Sequence, residues 1–382
     1  MIDVAMTDPR RRNAIRLAPS QICITGLMLL AGVMLAAGPD PAYAQSSDNR
    51  PGVTAQADAQ ADAKRKKRKN DLLVNRGDRG LWAFKNNNVW QKIDSGNPTA
   101  IAVGDINGDG TDDIIVGLAA PMARKGTWIR IGTTLTRIDM RPANNIAAGD
   151  FNGDGFVDLL ATFQGVPGTH LWMNDFPNPP SVFFEVHPET AIRVAAGDLQ
   201  GDGIDDAIIG LPIGLLVCYD GQSPWIELNP NPIFNVVLGN LDGDDRADLV
   251  IDRNGGGIWR SLDGGDPDPT WQRIDPRNPS VLATGDPDGN GRDGVFATLP
   301  GPNGGLWRSS DGGVNWTELS PMRPLDIAVG TLDAGTKDDV VAIFPGNTNI
   351  FARKNNAGNF MPLIAPPGAA AQPQRILFFA AD

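Results

Sequence analysis

GDINGDGTDD, residues 104–113, decides the fold, because the chain repeats it five more times in variant form. The variants are GDFNGDGFVD (149–158), GDLQGDGIDD (197–206), GNLDGDDRAD (239–248), GDPDGNGRDG (285–294) and GTLDAGTKDD (330–339). Their first loop positions are Asp105, Asp150, Asp198, Asn240, Asp286 and Thr331, in steps of 45, 48, 42, 46 and 45 residues. A period of that size marks a radial or stacked repeat, in which each unit buries its apolar face only against its neighbours.

Working outward from each loop, the same four short segments recur. A small apolar stretch ends in Gly-Asp (TAIAVGD, NIAAGD, RVAAGD), and a second follows the loop (DIIVG, DLLAT, DAIIG). A third carries an aromatic residue after a turn (GTWIRI, HLWMND, GGIWRS, GGLWRS), and a fourth closes the unit (LTRID, FFEVH, WIELN, WQRID). Four strands bounded by Gly, Pro, Asn and Asp make one propeller blade. Trp82, Trp128, Trp172, Trp259 and Trp307 read as one recurring blade position, with an intra-sheet core role ahead of a platform for sugar rings.

The chain ends supply a seventh unit. Residues 71–94 read as strands two to four, and RILFFAAD at 375–382 reads as a first strand, with Asp382 in the place of Asp105 and Asp71 in the place of Asp113. Pairing them closes a ring and removes the exposed sheet edges. An open solenoid and rings of six or eight blades are the alternatives, and the split unit argues against each. The expected fold is all-β, a seven-bladed β-propeller over residues 71–382.

Within the loops, oxygen-bearing residues fall at alternate positions. The first offers Asp105, Asn107, Asp109, the carbonyl of Thr111, and Asp113. The second offers Asp150, Asn152, Asp154, the Phe156 carbonyl and Asp158, and the third offers Asp198, Gln200, Asp202, the Ile204 carbonyl and Asp206. The fourth has Asn240, Asp242, Asp244, the Arg246 carbonyl and Asp248, with Asp245 in the place of a glycine and strain expected there. Alternate residues of a curled loop point to one centre, and a set of hard oxygens suits Ca2+. The loops hold no soft ligand, which disfavours zinc or copper. Three or four structural calcium ions are expected, since a closed cage leaves no position for substrate. The fifth loop has Asp286, Asp288 and Asn290 but Gly294 at position nine, with Asp293 read as displaced by one, and the sixth is expected to be empty.

These residues resemble the FG-GAP/VCBS repeat family, whose repeats build the seven-bladed propeller of integrin alpha chains and several propeller lectins. The resemblance covers residues 71–382, and its most specific element is the GDxNGDGxxD loop. It implies calcium in the turn between the first and second strands, at the positions named above. A local resemblance joins it: Ser309, Asp311, Gly313 and Trp316 look like the Asp-box turn of sialidase propellers, a structural hairpin device. Ser261, Asp263, Gly265 and Trp271 echo it with an insertion.

The N-terminal region reads differently. Arg10, Arg11, Arg12 and Arg16 precede an apolar run from Ile22, and Ala42-Tyr43-Ala44 closes it. That is the pattern of a cleaved export signal over residues 1–44, with an uncleaved anchor as the alternative. Residues 45–70 have almost nothing to bury and read as a disordered linker. Its basic run Lys64–Lys69 is either a solvated spacer or an electrostatic tether to an anionic envelope surface. A periplasmic or extracellular monomer is expected. Cys218 is then the single cysteine of the mature chain and reads as a buried thiol.

From residue 71 on, 39 acidic residues face 22 basic ones, a poor balance for binding nucleic acid. An enzyme reading finds few groups: His170, His187 and Tyr219 are the only His and Tyr after the signal, Tyr219 is placed in a strand, and Glu185, Glu189, Glu227 and Glu318 are scattered. The expected function is a binding or adhesion scaffold for a protein partner, with a glycan-binding lectin second and a polysaccharide-active hydrolase or lyase third. The ligand face is expected opposite the calcium loops, on connectors that carry Arg124, Lys125, Arg141, Arg193, Arg277 and Arg323.

Overall fold

The computed structural model describes residues 71–379, apart from 87–88, 121, 176–181, 222–223, 254, 334 and 364–370. The expected export signal, the expected linker with Lys64–Lys69, and Asp382 lie outside the described residues.

Seven four-stranded antiparallel sheets form the molecule. In the first blade the order from axis to rim is Pro98–Gly104, Asp113–Leu118, Gly126–Ile131 and Thr134–Asp139. Five more blades repeat this order along the chain. The seventh is shared between the ends: Arg375–Phe379 pairs with Asp71–Asn75, followed outward by Leu81–Lys85 and Val89–Asp94. Its register sets Leu73 opposite Leu377 and Val74 opposite Ile376.

The cores prove closure. Buried apolar residues form seven clusters, each drawn from two neighbouring blades. An open row of seven blades would have six. The seventh cluster packs Leu73 and Leu377 of the shared blade against Ile101 and Val103 of the first. On its other side the shared blade packs Leu72 and Ile376 against Val341 and Ile343 of the sixth. Fully buried Arg76 strengthens that side, donating to the carbonyls of Thr348 (2.9 Å) and Ala371 (3.3 Å) and lying over Trp90.

Residue type follows from this packing. Innermost strands crowd the axis, so their side chains are small, and the Gly of each Gly-Asp pair faces the next blade. A Cβ on Gly149 would stand 2.8 Å from the Ala196 methyl and 3.0 Å from the Asp205 carboxylate. At the rim, Trp225, Trp271 and Trp316 donate their indole N–H to the carbonyls of Val186, Leu228 and Ile274 in the preceding blade.

One recurring position differs from the sequence reading. Trp82, Trp128, Trp259 and Trp307 do share a register, opposite the fourth residue of the second strand, but in the second blade His170 holds it, opposite Ala161. Trp172 lies two residues further on, opposite Leu159. The cause is the longer third strand Val166–Trp172, whose register shifts between Val166 and His170.

Candidate functional site

All the acidic loops lie on one face, because each joins the first strand of a blade to its second. Loops one to five start with a residue-one carboxylate or amide that draws the following amides around itself, whereas the sixth starts with Thr331. Asp105 accepts from the amides of Asp109 (3.0 Å) and Gly110 (2.7 Å). Asp150 accepts from Gly153 and Gly155, and Asp198 from Gly201 and Gly203. Asn240 accepts from Gly243. The residue-five carboxylates of Asp109, Asp154, Asp202 and Asp244 then accept from the amides of Thr111, Phe156, Ile204 and Arg246, which places residue seven. Residue three joins the cluster where it is Asn: Asn107 and Asn152 bridge to Asp109 and Asp154. Gln200 is exposed, and Asp242 accepts from the Asp244 amide. Residue one therefore accepts the residue-five amide in loops one to three, and residue three joins residue five where it is Asn. Asp245 has φ 66°, a left-handed conformation that disfavours non-glycine residues, so strain is present where the missing glycine predicts it.

Position nine has a second task that the sequence reading missed. The Asp113, Asp158, Asp206 and Asp248 carboxylates each accept the residue-two amide of their own loop. In two of these blades the other oxygen accepts an amide from the turn between strands three and four: Asn174 to Asp158 and Asp220 to Asp206. The sixth and seventh blades repeat this, Asn355 to Asp339 and Asn86 to Asp71. Residue nine thus ties the two turns of a blade together. The signal was an Asn or Asp just after the third strand, and Asn86, Asp220 and Asn355 have φ near +50°.

Among the described residues no three His, Cys, Asp or Glu side chains converge tightly enough to hold a metal ion by themselves. The fit to a cation therefore rests on the whole oxygen set, amides and carbonyls included, and on two further observations. Asp248 Oδ1 is buried with no hydrogen-bond partner. Burial, with repulsion from the other loop carboxylates, pushes Asp113 and Asp206 up to about 7 and Asp158 and Asp248 up to about 8. A bound cation would relieve both, and a carboxylate oxygen that accepts one amide keeps a second lone pair for it. The residues fit calcium in loops one to three. Loop four, which holds the unpartnered Asp248 oxygen, differs, because the Arg246 guanidinium pairs with Asp244 at 2.6 Å and brings its own positive charge.

Two readings of the later loops are corrected. Asp293 is not a displaced residue nine. It is residue eight, like Asp205 and Asp338, and its carboxylate accepts the amide of Asn240 in the preceding blade. Tyr219 is not in a strand: it opens the 3-10 turn Tyr219–Gly221 on the acidic face, and its hydroxyl donates to the Gly264 carbonyl of the next blade. Burial pushes it up to about 12. Cys218 is buried.

The opposite face is built by the loops between strands two and three and by the connectors between blades. Six of the ten exposed large apolar side chains of the described residues lie here: Met122, Met140, Ile213, Phe234, Met322 and Leu325. The arginines expected to colour this face are mostly committed. Arg124 forms a two-pronged ion pair with Asp94, and Arg141 and Arg277 pair with Asp139 and Asp275 at 2.8 Å. Asp139 and Asp275 also accept the Arg141 and Arg277 amides, so the pairs staple the connectors. Lys125 and Arg323 are exposed, and Arg193 lies over Phe234.

Of the groups an enzyme reading would draw on, His170 and Glu185 face each other across two strands of the second blade, with Arg141 3.5 Å from the His170 ring. Glu185, Glu227 and Glu318 occupy equivalent places on the outermost strands of three blades, opposite His170, Leu216 and Trp307. His187 Nδ1 accepts the Glu189 amide at the end of one such strand. The recurring indoles are covered: Lys92, Arg137, Arg253 and Arg277 lie over Trp82, Trp128, Trp259 and Trp307.

Residues 97–123, most of the first full repeat, match the FG-GAP repeat family. Among curated proteins none matches the chain. Solved structures with the same architecture include an Agrocybe aegerita lectin described as recognising non-reducing terminal N-acetylglucosamine, with 14% identity, 83% of this chain and 96% of that one covered, and a TM-score of 0.58. A Niastella koreensis GH74 enzyme aligns at 13% identity over 79% of this chain and 47% of its own, TM-score 0.49. BBS1N in complex with ARL6DN aligns at 13% over 70% and 80%, TM-score 0.45. At 14% identity the lectin shows the fold alone.

Proposed function

We propose that this FG-GAP propeller is an exported scaffold, braced by calcium on one face, that binds a protein partner on the other. The observation that carries the reading is the asymmetry of exposed apolar side chains. The face opposite the acidic loops concentrates Met122, Met140, Ile213, Phe234, Met322 and Leu325, with Met122 and Met140 beside the Arg124–Asp94 and Arg141–Asp139 ion pairs. Exposed apolar groups gathered on a rigid surface mark protein-binding sites, and unbranched methionines adapt to a partner's contour. Lys125 and Arg323 at its border favour a partner with carboxylates around its apolar contact.

In the calcium-bound form, Asp105, Asn107, Asp109, the Thr111 carbonyl and Asp113 would hold one ion, with the equivalent residues of loops two and three holding two more. The ion supplies charge neutralisation and has no catalytic part. A glycan ligand is a weaker reading, since the recurring indoles lie under cations rather than open to a sugar ring.

The test is capture of partners from cell-envelope extract by the mature protein and by a Met140→Glu/Met322→Glu variant, beside a glycan array. A protein captured by the parent and lost in the variant supports the reading. Array binding that the variant retains, with no protein captured, would replace it with the lectin.

A further inference from the structure

Each acidic loop touches the next in one direction around the ring. The residue-eight amide of one blade donates to the residue-one carbonyl of the blade before it: Val157 to Asp105 (3.3 Å), Asp205 to Asp150 (2.9 Å), Ala247 to Asp198 (2.8 Å), Asp293 to Asn240 (2.7 Å) and Asp338 to Asp286 (2.9 Å). Where residue eight is an aspartate, the bridge becomes reciprocal. The Asp205 carboxylate accepts the Asp150 amide (2.9 Å), Asp293 that of Asn240 (2.9 Å) and Asp338 that of Asp286 (2.6 Å). Space for this comes from the glycine before residue one. Gly149, Gly239 and Gly285 lie against Asp205, Asp293 and Asp338, and Gly104 lies against Val157 in the same way. Residue seven adds a second contact, for Phe156, Ile204 and Arg246 cover the residue-four glycines 108, 153 and 201 of the preceding loop.

We propose that Asp205 is a positioning residue for the metal ligands of the preceding blade, so that loop two holds its first ligand in a brace that loops one and three lack. A carboxylate that accepts a backbone amide makes a charge-assisted bond, and together with the returning amide it fixes both ends of residue one. The first ligand is then held in place before the ion arrives, and less ordering is left for binding to accomplish. Loops one and three, facing Val157 and Ala247, have only the backbone half of this bridge. The inference rests on the calcium reading and adds to it that a loop's affinity is set partly by a residue of its neighbour.

The experiment is a chelator-competition calcium titration of the mature chain, with steps assigned by silencing single loops: Asp109→Ala for the first and Asp154→Ala for the second. Asp205→Ala is expected to weaken the loop-two step about tenfold and leave loop one unmoved. Asp205→Asn, which keeps an accepting oxygen, should restore most of it. Val157→Asp, which places a carboxylate against Gly104, should tighten loop one. A loop-two step unchanged in Asp205→Ala, or a loop-one step weakened equally, overturns the brace. If no step disappears with Asp154→Ala, the calcium reading itself fails, and the brace with it.

Discussion

The two faces of the ring are built by different rules. On the acidic face the same contacts recur from blade to blade: residue one gathers its amides, residue nine ties two turns together, and residue eight reaches the neighbour. On the opposite face the Asp–Arg staple recurs in only two connectors, Asp139–Arg141 and Asp275–Arg277, and exposed apolar groups collect there. Repetition marks what the ring needs in order to close and stay closed. Irregularity marks what is left for recognition, because a partner meets the whole face and needs no sevenfold pattern.

The largest effect expected from breaking the repeated side is loss of the fold. Deleting residues 375–382 strips the innermost strand from the shared blade and uncovers Leu72, Leu73 and Val74, all at most 1% exposed. An aggregating product in size-exclusion chromatography is expected, and a soluble, cooperatively melting truncation would contradict ring closure. Next is removal of metal. Extracellular calcium modules bind with Kd ~0.1–1 mM, so at the tighter end and ~1 mM free calcium each site adds about 1.4 kcal/mol, and three add about 4 kcal/mol. Against a typical total of ~5–15 kcal/mol, a chelator should lower the melting temperature clearly, and calcium should restore it better than magnesium.

A smaller effect lies in the second strand of the fourth blade. Asp252 is 2% exposed, its Oδ1 has no partner, and burial pushes it up to about 7 against the opposing pull of Arg193. An acid raised in the folded state costs stability as pH climbs from its unfolded value of ~4 to about 7. Asp252→Asn should therefore match the parent near pH 4 and exceed it at pH 8, by on the order of 2–3 kcal/mol in denaturant midpoints. Equal stability at both pH values would show that this carboxyl is not raised. Least of all, Met140→Glu/Met322→Glu should leave the melting temperature within about a degree, since surface changes away from core and caps move stability by ~0.5 kcal/mol or less. A clear fall would place these side chains in the fold rather than on a binding face.

Most of the architecture was legible because repetition averages out local ambiguity. Six acidic loops at one period fix where first and second strands begin, and the split blade follows from Asp71 matching Asp113. What escaped reading depends on contacts between blades. Asp293 looks like a misplaced ligand until the Asn240 amide is found beneath it. Arg141 and Arg277 look like open cations until they fold back on Asp139 and Asp275. Trp172 falls out of register because one strand is longer than its counterparts, which a count of residues between motifs cannot show.

The central claim, that the repeated face is held by calcium, is tested most directly by elemental analysis of the mature protein dialysed against micromolar free metal and then titrated to saturation. The account predicts three or four calcium ions per chain, one fewer in Asp109→Ala and in Asp154→Ala, and no change in Asp333→Ala of the degenerate sixth loop. Saturation at zero ions, with a melting curve indifferent to chelator, would contradict it and leave the loops as hydrogen-bonded turns.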